Sequence, residues 1–400
     1  MQPLKGLKVV DLSKVLAGPL CGQYLGNLGA DVIKVEPIGS GDDTRAWLPQ
    51  KSGQSATFLA VNHNKRSVAL DLKTPEGQAV VHRLVSDADI VLQGFGAGTA
   101  RKLRVDRATL SEINPRLIYC EISGYGRQGP LGNEPGYDVM LQAFSGMISI
   151  MGEPRGPLVR ATFSPVDIGT GMMAFSGVLA AVIERSRTGK GVFVEVSLLD
   201  TAMSLMGYLA QNYWISGKLP QRMGTGHPAM APYQVFQASD GPVLIGVGND
   251  AQWRRFCPVA GLNEYMDDPR FGRNAERVAN FAQTVALVQN EIARQPVAYW
   301  VQALQGVGVP CAPINNVGQA LEHPQTVARQ VVGQTRHTTL GDLKSVNLPI
   351  TFNQESRGQI SAPPLLGQHT TEVLRDAGFS PDEIQACLSA QVIESHPENV

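Results

Sequence analysis

One acid stands alone in the middle of the chain. Asp167 lies in Ser164-Pro165-Val166-Asp167-Ile168-Gly169-Thr170-Gly171-Met172, and no other charged residue falls between Arg160 and Glu184. A carboxylate in small and apolar surroundings has two uses. It can cap a helix by accepting hydrogen bonds from the first free N–H groups, worth about 1 kcal/mol. It can also attack a carbonyl and form a covalent intermediate. With an ordinary pKa of about 3.9, an Asp is anionic at neutral pH without help from a base. Gly169 and Gly171 are expected to leave room for a ligand beside it. Both roles stay open at this level.

Other residue types that could do chemistry are scattered. The five cysteines (Cys21, Cys120, Cys257, Cys311 and Cys387) are odd in number and form no C-x-x-C pair. That pattern reads as free thiols in a reducing compartment, with no zinc spacing. The segment Gly94-Phe95-Gly96-Ala97-Gly98-Thr99-Ala100-Arg101-Lys102 is glycine-rich and ends in two cations. Its backbone N–H groups could hold phosphate oxygens, with Arg101 and Lys102 neutralising them; the alternative is a plain connection. Lys73 and Asn64-Lys65-Arg66 add positive charge nearby in the order of elements. His227 precedes Pro228 in a loop and reads as a structural or substrate-lining histidine. Trp47 is either packing or the wall of a pocket.

The elements that must carry these residues alternate strand and helix. Gly6–Leu12 reads as a strand, Pro19–Leu28 as a helix stopped by Gly29, and Asp31–Glu36 as a second strand. Strand-like Ser67–Leu72, helical Pro75–Val85, strand-like Asp89–Gln93, helical Arg107–Ile113 and strand-like Leu117–Ile122 continue the pattern. Such alternation predicts a doubly wound, Rossmann-like α/β sheet whose ligands sit beyond the carboxyl ends of the strands. Glu36 occupies the place of a dehydrogenase's ribose acid, but the first turn reads L-A-G-P-L-C-G rather than G-x-G-x-x-G, which argues against a nicotinamide cofactor. The apolar run Met172–Ile183 reads as a buried helix too short for a bilayer. Phe193–Val196 follows as a strand and Ser197–Tyr213 as a helix.

At 400 residues two domains are expected. The Gly/Pro-bearing stretch Gly217–Gly226 suggests a boundary, giving a discontinuous large domain over 1–216 and 330–400 and a smaller α+β domain over 217–329. Tyr233–Ala238 and Val243–Val247 around Asp240-Gly241 predict a hairpin in the smaller domain. A formal charge of −1 gives no global attraction to nucleic acid or to an anionic membrane. The first residues lack the apolar core of a signal peptide, so a cytoplasmic protein is expected.

Several stretches carry a resemblance: Val9–Pro19 (VVDLSKVLAGP), Gly29–Asp42 (GADVIKVEPIGSGD), Asn64–Gly77 (NKRSVALDLKTPEG), Ile122–Gln142 (ISGYGRQGPLGNEPGYDVMLQ), Asp167–Gly191, Gly226–Gln234 (GHPAMAPYQ), Gly248–Cys257 (GNDAQWRRFC), Gly308–Asn315 (GVPCAPIN) and Leu366–Leu374 (LGQHTTEVL). In this order they resemble the family III CoA-transferases, the CaiB/BaiF group that includes formyl-CoA, carnitine and bile-acid CoA-transferases. The resemblance implies an interlocked homodimer with the nucleophilic Asp at position 167. It implies contacts to coenzyme A from Val15, Leu16, Ala17, Leu70, Lys73, Gly94, Phe95, Lys102 and Leu103. Lys102 and Pro37 stand where relatives carry Arg. Coenzyme A is a substrate here, with no permanently bound cofactor and no metal.

The implied reaction moves CoA from an acyl-CoA, succinyl-CoA or similar, to a small carboxylic acid, with a dicarboxylate favoured. Trp47, Tyr137, Gln142 and His227 are candidate walls of the acyl pocket. Oxyanion donors are expected at the helix start beside Asp167, and Asp138 is expected to cap the helix it opens. A racemase of 2-methylacyl-CoA resembles the same superfamily, but that chemistry places a His in a G-H-D motif, where this chain has Gly136-Tyr137-Asp138. Tyr137, with a pKa of about 10, is a poor base at neutral pH. A catalytically inactive CoA-binding protein is the remaining alternative.

Overall fold

A computed structural model describes residues 1–353 and 360–396. Six parallel strands form the central sheet: β1 (Lys8–Asp11), β2 (Asp31–Glu36), β3 (Lys65–Leu70), β4 (Ile90–Gln93), β5 (Ile118–Ser123) and β6 (Phe193–Ser197). Their spatial order is 3-2-1-4-5-6, with a short antiparallel strand, Ile393–Glu394, on the β3 edge. This is the doubly wound order, in which the chain reverses direction between β1 and β4. β1 pairs with both neighbours in register, Val9 opposite Val32 and Ile90. Its residues Val9 and Val10 are buried, as strands covered on both faces require.

The chain divides into two compact units. The first comprises Met1–Ser145, Ala161–Tyr208 and Pro324–Val400, and the second Gly146–Arg160 and Leu209–His323. The expected large domain therefore loses 146–160 and 209–216 and regains 324–329. The expected helix Ser197–Tyr213 is two helices, Leu198–Leu205 and Gly207–Ser216, with the break at Met206. In the second unit, Tyr233–Gln237 and Pro242–Gly246 pair as an antiparallel hairpin, and Cys311–Pro313 adds a third strand. Helices close over it around a core that includes Trp253, Phe256 and Trp300.

Four helices of the first unit matter for the site: α1 (Ala17–Asn27), α2 (Asp138–Phe144), α3 (Pro165–Thr188) and α4 (Leu198–Leu205). α1 carries Gly18, Gly22 and Gly26 four residues apart, on one face. A Cβ at Gly22 would meet the Asp11 carboxylate at 2.9 Å and the Lys65 ammonium at 3.2 Å, and one at Gly26 would meet the Asn64 carbonyl at 2.7 Å. The glycine stripe lets α1 lie directly on a charged layer of the sheet.

α3 is longer than the sequence suggests. It begins at Pro165, which occupies its first position, where a missing N–H costs nothing. At 24 residues the helix is long and apolar enough, by length and composition, to cross a membrane, which corrects the expectation from the interrupted run. One face of it packs within the first unit, while Met172, Met173 and Ile183 stay exposed. A Cβ at Gly171 would come within 2.6 Å of the Ala17 carbonyl, and one at Gly177 within 2.9 Å of Val194. Gly171 thus serves helix packing rather than ligand access, and Gly169 likewise faces Thr201 of α4 at 3.0 Å.

Candidate active site

The loop after β1 is held by charge rather than by apolar packing. Lys34, from β2, donates to the Ser13 carbonyl at 3.0 Å and pairs with Asp42 at 2.8 Å, both side chains wholly buried. Asp42 in turn accepts the Val15 N–H at 3.3 Å on each oxygen. Burial would raise the Asp42 carboxyl, but the Lys34 charge and the hydrogen bonds from Lys34 and Thr44 win and hold it at about 2. Lys65 reaches under α1 to Asp11 (2.8 Å), the Pro19 carbonyl (2.8 Å) and Asn62 (2.9 Å). Val15 sits at φ +70°, a conformation that a β-branched residue adopts at a cost of about 1–3 kcal/mol. The Asp42 bonds hold it there. Glu36, the would-be ribose acid, is buried and bound by Arg45 at 2.7 Å and by the Ser67 hydroxyl at 2.7 Å, so it offers nothing to a ligand.

Beyond the carboxyl ends of β1, β4 and β5 lies a cleft of about 250 Å³. It is lined by the loop Ser13–Gly18, by Gly94–Gly96, by Ser123 and Gly124, by Glu134–Tyr137, and by Asp167. The chain reversal between β1 and β4 creates this crevice, as in other doubly wound sheets. Val15, Leu16, Ala17, Gly94, Phe95, Tyr137 and Asp167 all meet here. Lys14, Asp43 and Arg127 also line it; the sequence reading did not single them out as site residues. Arg127 is legible only in part from its loop, because its orientation depends on Glu121 (2.5 Å) and the Phe95 carbonyl (2.6 Å).

Asp167 is not a cap. It sits in the first turn of α3, behind Ser164, whose backbone is left-handed at φ +54°. The cap comes from elsewhere. The Asp138 carboxylate, at the start of α2, accepts the N–H groups of Val166 (2.8 Å) and Asp167 (3.1 Å) through one oxygen. Asp138 therefore caps α3, not the helix that it opens, and the first-turn N–H groups expected to bind an oxyanion are already taken. The other Asp138 oxygen accepts from the Gln142 amide. Among the described residues the Asp167 carboxylate itself has no hydrogen-bonding partner. Burial first, and the Asp138 charge second, push its pKa up to about 7. The expectation of an acid fully ionised at neutral pH is corrected accordingly.

Other candidates fall outside the cleft. Leu70 is 1% exposed in the core of the sheet, so its side chain has no face for a ligand. Leu103 is partly buried against the same core. Lys73 and Lys102 are exposed past the ends of β3 and β4, off the cleft wall. Trp47 is 44% exposed behind a short 3-10 turn and is not a pocket wall. Gln142 is fully buried: it accepts the Ala161 N–H at 2.9 Å and donates to the Ala161 carbonyl at 3.1 Å, so it ties two segments together rather than lining the cleft. His227 belongs to the second unit, where its Nδ1 accepts the Ala229 N–H at 3.1 Å and its ring stands against Tyr233. Pro37 and Arg101 likewise do not line the cleft. Among the described residues no group of three or more His, Cys, Asp or Glu is arranged to hold a metal ion.

Residues 4–370 match CoA-transferase family III. The chain is 35% identical over 398 residues to the succinyl-CoA:glutarate CoA-transferase of Homo sapiens, covering 99% of this chain and 91% of that one. It is 38% identical over 381 residues to the succinate–glutarate CoA-transferase of Agrobacterium fabrum, covering 94% and 95%. Among solved structures it is similar to a CaiB/BaiF family protein from Brucella suis, with a TM-score of 0.84, 38% identity and coverage of 94% and 99%. An unpartnered acid at the reversal point of a doubly wound sheet thus coincides with a family match across nearly the whole chain, and the chain belongs to the family III CoA-transferases.

Proposed function

We propose that the protein moves CoA from an acyl-CoA, succinyl-CoA or a close analogue, to a small dicarboxylic acid, with Asp167 as the covalent carrier. The observation that carries this reading is the Asp167 carboxyl, half-buried on the cleft wall with no hydrogen-bonding partner of its own among the described residues. Its carboxylate attacks the thioester carbonyl. The C–S bond breaks, leaving an acyl–aspartyl anhydride and CoA thiolate. The thiolate attacks the aspartyl carbonyl, expelling the acyl group as a free carboxylate and leaving Asp167 as a CoA thioester. An incoming acid runs the same steps in reverse. Each tetrahedral species carries an oxyanion, and removing one donor to such an oxygen costs about 3 kcal/mol in other enzymes.

Donors are available on the opposite element. The N–H groups of Leu16, Ala17 and Gly18 have no partner among the described residues, because the first bond of α1 is Leu20 N–H to the Leu16 carbonyl at 2.9 Å. Gly96, Ala97 and Gly98 likewise leave backbone N–H groups free beside the cleft for CoA, with Lys73 and Lys102 as cations for its phosphates. Lys14 and Arg127 stand on the cleft wall, each already paired with an acid of this chain, Asp43 at 3.5 Å and Glu121 at 2.5 Å. The similarity to glutarate transferases supports the dicarboxylate preference.

A homodimer is part of this reading. In the first unit, Met140, Phe144, Phe163, Met172, Met173, Ile183 and Met203 are exposed, an apolar content that a second copy would cover. A reducing, cytosolic setting agrees with five free thiols, four of them buried.

The test is chemical. Incubation with succinyl-CoA followed by hydroxylamine should leave a hydroxamate on Asp167, and Asp167→Asn should leave none and transfer no CoA. A panel of acyl-CoA donors and acids read by mass spectrometry identifies the pair. CoA binding without any adduct would mean an inactive binding protein. Deuterium uptake at C2 of a 2-methylacyl-CoA, with no acceptor acid present, would mean a racemase.

A further inference from the structure

Two acids converge on the start of α3, and only one faces the cleft. Asp138 is buried, with three donors on its two oxygens: Val166 N–H and Asp167 N–H on one, the Gln142 amide on the other. Gln142 cannot turn to present its oxygen, because the Ala161 backbone fixes both ends of its amide. A proton on Asp138 would face a donor on either oxygen. Every contact on Asp138 is thus a donor, the partner set of an acceptor-only carboxylate.

Other charged groups near Asp167 are neutralised or turned elsewhere. Lys14 pairs with Asp43 at 3.5 Å, and Arg127 with Glu121 at 2.5 Å while its N–H bonds Glu195. From α4, Asp200 accepts the Ser197 hydroxyl at 2.7 Å. α1 brings no charged side chain. Glu134 and Tyr137 are exposed to solvent, which screens them.

We propose that Asp138 is a positioning residue for Asp167. Its carboxylate fixes the first turn of α3 and sets a negative charge behind the nucleophile, and the repulsion between the two is relieved when Asp167 becomes a neutral anhydride or thioester. The inference rests on Asp167 as the covalent carrier. Repulsion raises the free carboxylate relative to every acylated form, so the device favours the covalent intermediate. Burial first, and the Asp138 charge second, raise the pKa of Asp167.

The test compares the full-length parent with Asp138→Asn, following the rate of hydroxylamine-trappable adduct against pH and the fraction of enzyme carrying CoA at equilibrium. The expected result is an acid limb moved down by about one pH unit, with the loaded fraction above the limb reduced about tenfold. A merely structural role would lower the rate equally at every pH and leave the limb where it was; that result overturns the inference alone. A parent with no adduct overturns the carrier reading and the inference with it. Should Asp138→Asn fail to fold, carbon-13 carboxyl spectra of the parent decide, with the Asp167 signal assigned by its loss in Asp167→Asn. Asp167 titrating near neutrality supports the proposal, and Asp167 titrating in the ordinary carboxylate range overturns it.

Discussion

Gly171 lies against the backbone of Ala17, close enough that a Cβ would stand 2.6 Å from the Ala17 carbonyl oxygen. One contact thus joins the helix that carries Asp167 to the loop end that lines the opposite side of the cleft. Backbone cannot yield as a side chain tip can. Gly171→Ala is expected to cost about 1–3 kcal/mol by overpacking. It should also lower kcat more than it raises KM, since the nucleophile and the α1 amides move apart. Thermal melting and steady-state kinetics on the same preparation check both.

Activity should follow the ionisation of Asp167. With the carboxyl near 7, only the deprotonated form attacks, so single-turnover adduct formation is expected to rise about tenfold from pH 6 to pH 8 and then level off. A rate already flat at pH 5 would contradict the burial argument.

The same group makes a stability prediction. Its folded value lies above the ordinary Asp value of about 3.9, so the folded state holds the proton more tightly. That stabilising contribution is complete below about pH 4 and is lost as pH rises through about 7. Asn mimics the neutral acid at every pH. Asp167→Asn should therefore melt above the parent at pH 8, by less at pH 5 and close to it at pH 4, as a paired melting series would reveal.

Asp42 and Lys34 hold the strained loop from below. Asp42→Asn leaves a buried ammonium without its counter-charge, a change that costs about 3–5 kcal/mol when one member of a buried pair is removed. It also weakens the bonds to Val15. Urea unfolding should report the loss, and CoA binding should weaken in protein that remains folded.

Lys73 and Lys102 are exposed, so their pull on CoA phosphates is modest and screened. Alanine at either is expected to raise KM for acyl-CoA about two- to fivefold with kcat unchanged, and the difference should shrink at 0.5 M salt. Lys102→Arg should bind at least as well as the parent, because a guanidinium engages phosphate through two bonds.

Much of the frame is local and was legible. The alternation of β-rich and helical stretches sets β1 through β6, and β2 spans Asp31–Glu36 with the bounds read from the sequence. The isolation of Asp167 among apolar residues marks it without any coordinates, and the ordered motifs along the chain mark the family. What the chain alone could not decide are pairings across long separations. Asp138 caps a helix that begins 27 residues later, Asp42 holds the Val15 N–H, and Gly171 meets Ala17. Each depends on which faces the sheet brings together, not on nearby residues. The same cause removes Leu70, Trp47 and Gln142 from the cleft, since one-dimensional position says which strand end a residue follows but not which way its side chain turns. Tertiary packing also sets the charge state of Asp167, because the desolvation and the neighbouring carboxylate that raise its pKa exist only in the folded chain.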